Sequence, residues 1–459
     1  MSDKAAVAWL ATHSAAAFET LRQFCAIPSI STDPAYAPAI AEAARFVADH
    51  LTAIGLDHVA ICNTGGHPAV MADWLHAPGA PTLLIYGHYD VQPPDPLDAW
   101  RTPPFQPTER DGRLYARGVS DDKGPVMVAL TAIAALIATG TLRVNLRLLL
   151  EGEEEIGSRH LDSFVAANAA ALKADWVLSA DGAMWRADLP SVTVASRGIC
   201  ALEVTVTGPA KDLHSGRHGG MVVNPLTAMV RLLAGLHDAN GAVAVPGFLD
   251  RVRPVSAATR AAMVAIPFDE AAYRAVVGAP ALGGEAGYSI LERNWLRPTL
   301  ELNGLSGGYT GSGRKTVIPS TAHAKITCRL VPNQDPREIA ALIAADLQRR
   351  CPEGVTVSAE IHPGLAWPYA ARDDHPGLAV ADGVLAGLYG QTPLRVRMGA
   401  TIPIGEIFQR HLGIDTIFFS FSTADEDFHA PNEFFRLSRW EDGLRAWVAY
   451  LDRAAGDDA

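Results

Sequence analysis

Leu148-Leu149-Leu150-Glu151-Gly152-Glu153-Glu154-Glu155 is an apolar run that passes without transition into four carboxylates. The segment Val144 to Leu150 reads as a buried strand. Strands that are apolar on both faces belong to parallel sheets covered by helices. Acidic runs are usually solvated helix faces. Here the acids sit at a strand's end, where open α/β sheets place their sites.

Outward from this strand the pattern alternates. Upstream lie helical patterns at about 5 to 25, 36 to 54 and Gly124 to Ala138, with strand-like runs at 57 to 62, 68 to 74 and 82 to 87. Downstream come a helix near 159 to 172 and strands at 175 to 179 and 191 to 195. The expected fold is therefore α/β, a mostly parallel sheet flanked by helices. From Arg197 the character changes to half-exposed alternation, as in Ala201-Leu202-Glu203-Val204-Thr205-Val206-Thr207. This predicts a smaller α+β domain inserted into the first. The expected division is 1–197 (catalytic, first segment), 198–375 (insertion) and 376–459 (catalytic, second segment).

Composition narrows the function classes. The 459 residues are 49% hydrophobic and 19% charged, a profile of folded domains with large interiors. A formal net charge of -12 argues against nucleic acid or an anionic membrane as partner, because both require a basic surface. Five scattered cysteines offer neither a disulfide framework nor a zinc ribbon. The N-terminal stretch lacks the apolar core of a signal peptide. A cytoplasmic location is expected.

Several short motifs close apolar strands. Leu83-Leu84-Ile85-Tyr86-Gly87-His88-Tyr89-Asp90 ends in a histidine and an aspartate that strand alternation puts on one side. Asp90 could hold the second nitrogen of a metal-bound His88. Gly118-Val119-Ser120-Asp121-Asp122-Lys123-Gly124 sets two acids just before a helix. Two metal ions about 3.5–4 Å apart need a shared carboxylate, and Asp121 is the candidate. Adjacent glutamates after Leu150 can divide roles, one as ligand and one as proton carrier. Asp181 ends another strand, and His429 lies in Asp427-Phe428-His429-Ala430-Pro431-Asn432-Glu433. Taken singly each is unremarkable, since strand-end Asp is commonly a turn former. As a set, Asp121, Glu155 and Asp181 with a hydroxide neutralise two divalent ions, and His88 and His429 complete the shells. Such ligands suit zinc, manganese or cobalt.

Gly-His-Tyr-Asp, Ser-Asp-Asp-Lys-Gly, Glu-Gly-Glu-Glu-Glu-Ile-Gly-Ser, Ser-Ala-Asp, Asp-Leu-His-Ser-Gly and a late His together resemble the carnosinase-like cytosolic nonspecific dipeptidases of the dinuclear metallopeptidase superfamily. The resemblance covers nearly the whole chain. It implies two divalent metal ions per subunit, zinc first and manganese or cobalt as alternatives. His88 and Asp181 would complete one site, Glu155 and His429 the other, with Asp121 between. It further implies Glu154 as catalytic base, Asp90 as the residue tuning the first histidine, and a cis bond between Asp121 and Asp122. His214, in Lys211-Asp212-Leu213-His214-Ser215-Gly216, would stabilise the oxyanion from the partner subunit, making the inserted domain the lid and the homodimer contact. Arg329 and Thr316 resemble the pair that grips the substrate's terminal carboxylate. Arg suits that task by its planar fork. Gly399-Ala400-Thr401 departs from the usual second glycine and serine, although Thr401 keeps a hydroxyl for the substrate pocket.

The expected reaction is hydrolysis of dipeptides or small peptides, with Glu154 taking a proton from the attacking water. The competing readings are an N-acyl amino-acid amidohydrolase, a carboxypeptidase, and a catalytically silent binding protein.

Overall fold

The computed structural model describes residues 2–280 and 282–456. Two compact units emerge. One comprises the chain up to Val194, Ala370–Val396 and the chain from Ile404; the other comprises Ala195–Tyr369 and Arg397–Pro403.

The first unit opens with helices α1 (Ser2–Cys25) and α2 (Ala37–Ala53) and strands β1 (Asp57–Cys62), β2 (Ala69–Trp74) and β3 (Thr82–His88). Then follow α3 (Lys123–Ala138), β4 (Asn145–Glu151), α4 (Leu161–Ala167), β5 (Trp176–Ser179) and β6 (Ser191–Ser196). The second unit contributes β7 (Gly198–Thr207), α5 (Pro225–Ala234), β8 (Thr299–Gly307), β9 (Thr321–Leu330), α6 (Pro336–Arg349) and β10 (Thr356–Ile361). The chain closes with α7 (Pro376–Tyr389), α8 (Ile404–Leu412), β11 (Thr416–Phe418) and α9 (Leu437–Ala454).

The large sheet has nine strands, running β1-β2-β4-β3-β5-β11-β6 and then the short strand Tyr369–Ala370, with Leu394–Met398 also paired to β6. Its centre, β4-β3-β5-β11, is parallel, and antiparallel pairs lie towards the edges. Leu148, Leu149 and Leu150 are fully or almost fully buried. Each such side chain contributes about 1.5–3 kcal/mol by leaving water. The α3 helix is buried on every side from Lys123 to Leu136 and packs against α1 and α9. Its first residue, Lys123, is anchored by its ammonium donating to the carbonyls of Phe24 (3.1 Å) and Ile27 (2.7 Å). Burial pulls that ammonium down to about 8.

Two local features differ from the sequence expectation. The helix expected near 159 to 172 stops at Ala167, because the Asn168 amide donates to Phe164 O and competes with the next helical turn. A three-stranded sheet of Thr108–Arg110, Arg113–Tyr115 and Phe434–Arg436 also forms, with strands too short to carry a readable period. Its register sets Phe434 opposite Tyr115 and so brings the loop after Asp427 beside the loop before α3.

The second unit is an antiparallel sheet, β8-β9-β7-β10. Val204, Val206, Ala324 and Ile326 face a core shared with Met229 and Leu232 of α5 and Ile343 and Leu347 of α6. Both helices start on the same device: the Asn224 and Asp335 side chains accept from the first turn, with Pro225 and Pro336 next in line. Among the described residues all five cysteines are free, and no helix is long and apolar enough to cross a membrane.

Candidate metal centre

The parallel strands end level with one another. His88, the last residue of β3, pairs with Glu151, the last of β4, and Tyr86 pairs with Ser179, the last of β5. Three loops therefore leave the sheet side by side carrying Tyr89-Asp90, Glu153-Glu154-Glu155 and Asp181. Gly87 has no space for a side chain, since a Cβ there would lie 2.5 Å from Val126 and 2.8 Å from Asp122. That close packing seats the start of α3 behind His88. Gly118 is in the left-handed region (φ 78°), and a Cβ there would strike Val91 at 2.2 Å. The Asp121-Asp122 peptide bond is cis.

Around Asp121 the side chains converge. Its Oδ1 lies 3.0 Å from His88 Nε2 and its Oδ2 lies 3.0 Å from His429 Nε2. His429 Nε2 is also 3.1 Å from Glu155 Oε2. Two groups of donor atoms result, His88-Asp121-Asp181 and Asp121-Glu155-His429, the atoms of each lying within 4.8 Å of one another. Asp121 belongs to both. His429 sits on a loop with three left-handed residues, Asp427, His429 and Asn432, at φ 55°, 60° and 66°. All three are among the non-glycine residue types that enter this conformation most readily.

Asp90 does more than face His88. Its backbone carbonyl meets His88 Nδ1 at 3.1 Å, and its Oδ1 lies 3.4 Å from the same nitrogen. Its two carboxylate oxygens accept the backbone N–H groups of Glu154 (3.2 Å) and Glu155 (3.1 Å). Asp90 thus ties the first histidine to the turn that bears the two central glutamates.

Electrostatics describe a pocket short of positive charge. Burial, with repulsion from Asp181 and Glu155, pushes Glu154 well above the carboxylate range. Burial lifts Glu155 to about 7 and Asp181 to about 6, each with Asp121 adding repulsion. Burial opposes the charge on Asp121 as well, but hydrogen bonds from His429 and His88 hold it well below the usual range. His429 is drawn up to about 10 by hydrogen bonds to Asp121 and Glu155. His88 is raised in spite of burial, by its bonds to Asp121 and Asp90. Clustered carboxylates, histidines pulled cationic and a mixed nitrogen and oxygen donor set fit two divalent cations.

The other expected residues lie in the second unit and form two groupings. His214 is exposed and pairs with Val317, and Ser215 N donates to Thr316 O (3.0 Å), so His214 and Thr316 sit on adjoining segments. Arg329 Nη1 donates to Thr401 Oγ1 (2.7 Å). The hydroxyl partner of Arg329 is therefore Thr401.

Some supporting residues carried no sequence signal. Gln92 donates to both the side chain (2.9 Å) and the carbonyl (3.0 Å) of Glu155. Glu433 is buried, and its Oε2 accepts from Arg117 Nη1 and Gly118 N (both 2.8 Å). Its Oε1 accepts from Ser120 N (2.9 Å) and Asp121 N (3.1 Å). One carboxylate thereby holds the loop of Asp121, and it lies four positions after His429. A second buried acid, Glu426, accepts from Ser120 Oγ.

The family model described as peptidase family M20/M25/M40 matches residues 84–453. The chain is 31% identical over 453 residues to the Cys-Gly metallodipeptidase of Schizosaccharomyces pombe, covering 95% of this chain and 94% of the relative. It is 31% identical over 394 residues to the human Beta-Ala-His dipeptidase, covering 84% and 77%. The solved M20 family metallo-carboxypeptidase from Sulfolobus solfataricus is similar with a TM-score of 0.82 and 31% identity, over 96% and 99% of the two chains.

Proposed function

The chain belongs to peptidase family M20/M25/M40, and from that membership we propose a metal-dependent dipeptidase whose reaction centre is the cluster around Asp121. The observation that supports this most directly is the sharing of Asp121: its two oxygens face two different histidines and join two donor groups. In this reading His88 and Asp181 would hold one ion, Glu155 and His429 the other, and Asp121 both. Bound divalent ions would supply Lewis acidity, lowering the pKa of a water and polarising the scissile carbonyl. Zinc is the ion proposed, with manganese and cobalt as alternatives of similar ligand preference.

Glu154 is the proposed general base. It stands beside the ligand Glu155 and is neighboured by the other acids, whose repulsion raises its proton affinity. A carboxylate tuned upward can take a proton from water near neutral pH and return it to the leaving amine. Asp90 keeps that base in position through the Glu154 N–H. His214 is the proposed oxyanion donor, supplied across a homodimer formed through the inserted unit. Its Nδ1 accepts from Gly216 N at 3.0 Å, which fixes the tautomer with Nε2 as donor. Arg329 and Thr401 would receive the substrate's terminal carboxylate, with Thr316 on the His214 side. A reducing, cytoplasmic setting is proposed from the five free cysteines.

The test is a panel of dipeptides, N-acyl amino acids and longer peptides with added zinc or manganese. Dipeptide turnover that Glu154→Gln lowers about 10²–10⁴-fold, with metal content kept, is the expected outcome. Turnover unchanged in that variant would overturn the assignment. A carboxypeptidase is the second reading, favoured by the 31% identity to the Sulfolobus solfataricus enzyme, and faster cleavage of longer peptides would select it.

A further inference from the structure

We propose that Arg197 is a second anchor for the substrate's terminal carboxylate, forming with Arg329 a two-guanidinium seat beside Gly399–Thr401. The inference rests on the reading of Arg329 as the carboxylate's partner and adds a residue to it. Arg197 lies immediately before β7 and is 7% exposed. Its backbone N–H donates to Ala400 O (3.0 Å), and its Nε donates to Gly399 O (2.7 Å). Its Nη1 is buried and has no hydrogen-bond partner. A buried guanidinium N–H without an acceptor is costly, and protein sites usually avoid it unless a ligand completes it.

Arg329 approaches the same place from the neighbouring strand, where it pairs with Ile199, two residues after Arg197. It donates to Thr401, the residue after the two whose carbonyls Arg197 holds. Both guanidiniums therefore meet one three-residue loop. Neither makes a salt bridge among the described residues, and the acid felt through space by Arg197 is the exposed Glu301. Burial, with repulsion from Arg329, lowers Arg197 to about 10. Like charges at half-desolvated positions are tolerable when an anion arrives to sit between them. A carboxylate has two oxygens and can accept from both forks.

A role as loop brace alone would need only the backbone N–H and Nε of Arg197. It would leave unexplained a buried, unpaired Nη1 on a guanidinium that Arg329 repels and whose loop it shares. The seat therefore selects peptides with a free C-terminal carboxylate over their amides, and it deepens the exopeptidase reading.

The experiment compares a dipeptide with its C-terminal amide in the metal-loaded enzyme, for wild type, Arg197→Met and Arg197→Lys. Loss of one charge-assisted contact should lower the acid-to-amide ratio of kcat/KM by about 10–100-fold in Arg197→Met, mainly through KM. Arg197→Lys should restore part of the ratio. Equal losses for acid and amide, or an unchanged ratio, would overturn the seat and leave a brace. Calorimetric binding of leucine against leucinamide repeats the comparison without turnover. An enzyme that cleaved no dipeptide would fail the proposed function, while this binding ratio would still decide the seat. Circular dichroism of both variants checks that the fold is retained.

Discussion

Glu433→Gln takes one anionic oxygen from a carboxylate that four donors share. In the wild type Arg117 and Glu433 are each 1% exposed and 2.8 Å apart, with Gly118, Ser120 and Asp121 N–H groups on the remaining lone pairs. An amide can turn its carbonyl toward only one side. Its NH2 then faces two donors, and Arg117 loses the carboxylate charge inside the protein. Breaking a buried pair by removing one partner costs about 3–5 kcal/mol. At roughly 2 °C per kcal/mol for a unit of this size, the melting temperature of the metal-stripped protein should fall by about 6–10 °C. With the carbonyl kept toward Arg117, the NH2 faces Ser120 N and Asp121 N, so the Asp121 backbone loses its acceptor and affinity for metal should drop about 10–100-fold, as for other groups that orient ligands. Scanning calorimetry of the stripped protein gives the first number and competition with a chromophoric chelator the second. Adding Arg117→Met should recover part of the stability, because the unpaired charge is then gone. A melting temperature within about 2 °C of wild type, with metal affinity unchanged, would show that Glu433 does not hold the loop of Asp121.

Other perturbations probe other parts of the site. Burial lifts Glu151 from 4.5 to about 8, so in the stripped protein the folded state keeps a proton that the unfolded state releases. Its contribution to stability is fully present below pH 4.5 and is lost as pH rises through about 8. Glu151→Gln should flatten that slope in urea unfolding followed across the range, and parallel slopes in the two proteins would reject the claim. Asp90→Ala removes the acceptors of Glu154 N and Glu155 N, and kcat should fall about 10–100-fold, with KM changed less. A kcat unchanged in steady-state assays would show that Asp90 does not hold the turn. Chelator treatment should abolish hydrolysis, and zinc or manganese at about 100 times Kd should restore it with about 2.7 kcal/mol of added stability for each ion bound. Thermal shift with each metal measures this, and no shift for any divalent ion would contradict the cluster's role.

The contrast between what could be read from the chain and what could not has a physical cause. His88, Glu155 and Asp181 announce themselves because each follows an apolar run, and a parallel strand must end at a loop on one side of the sheet. Asp121 was legible from its place before a helix whose sixteen residues include one charged side chain, Lys123. These are local signals, readable within a dozen residues. Glu433 offers none. Its meaning is a set of bonds to residues more than 300 positions away, and those depend on a three-residue strand pairing Phe434 with Tyr115. Gln92 and Arg197 are silent for the same reason: a polar side chain acquires a role only when burial removes water as its alternative partner. Ser196-Arg197-Gly198 looks like the edge of a strand, and only the folded unit leaves the Nη1 of Arg197 without an acceptor. Of the residues proposed to touch metal, His88, Glu155 and Asp181 therefore lie where strands end and Asp121 where a helix begins, whereas those that hold them depend on tertiary burial. Substitutions at Glu433 should accordingly damage both stability and metal affinity, while Glu154→Gln, which removes a proton carrier and keeps the side chain's shape, should damage turnover alone.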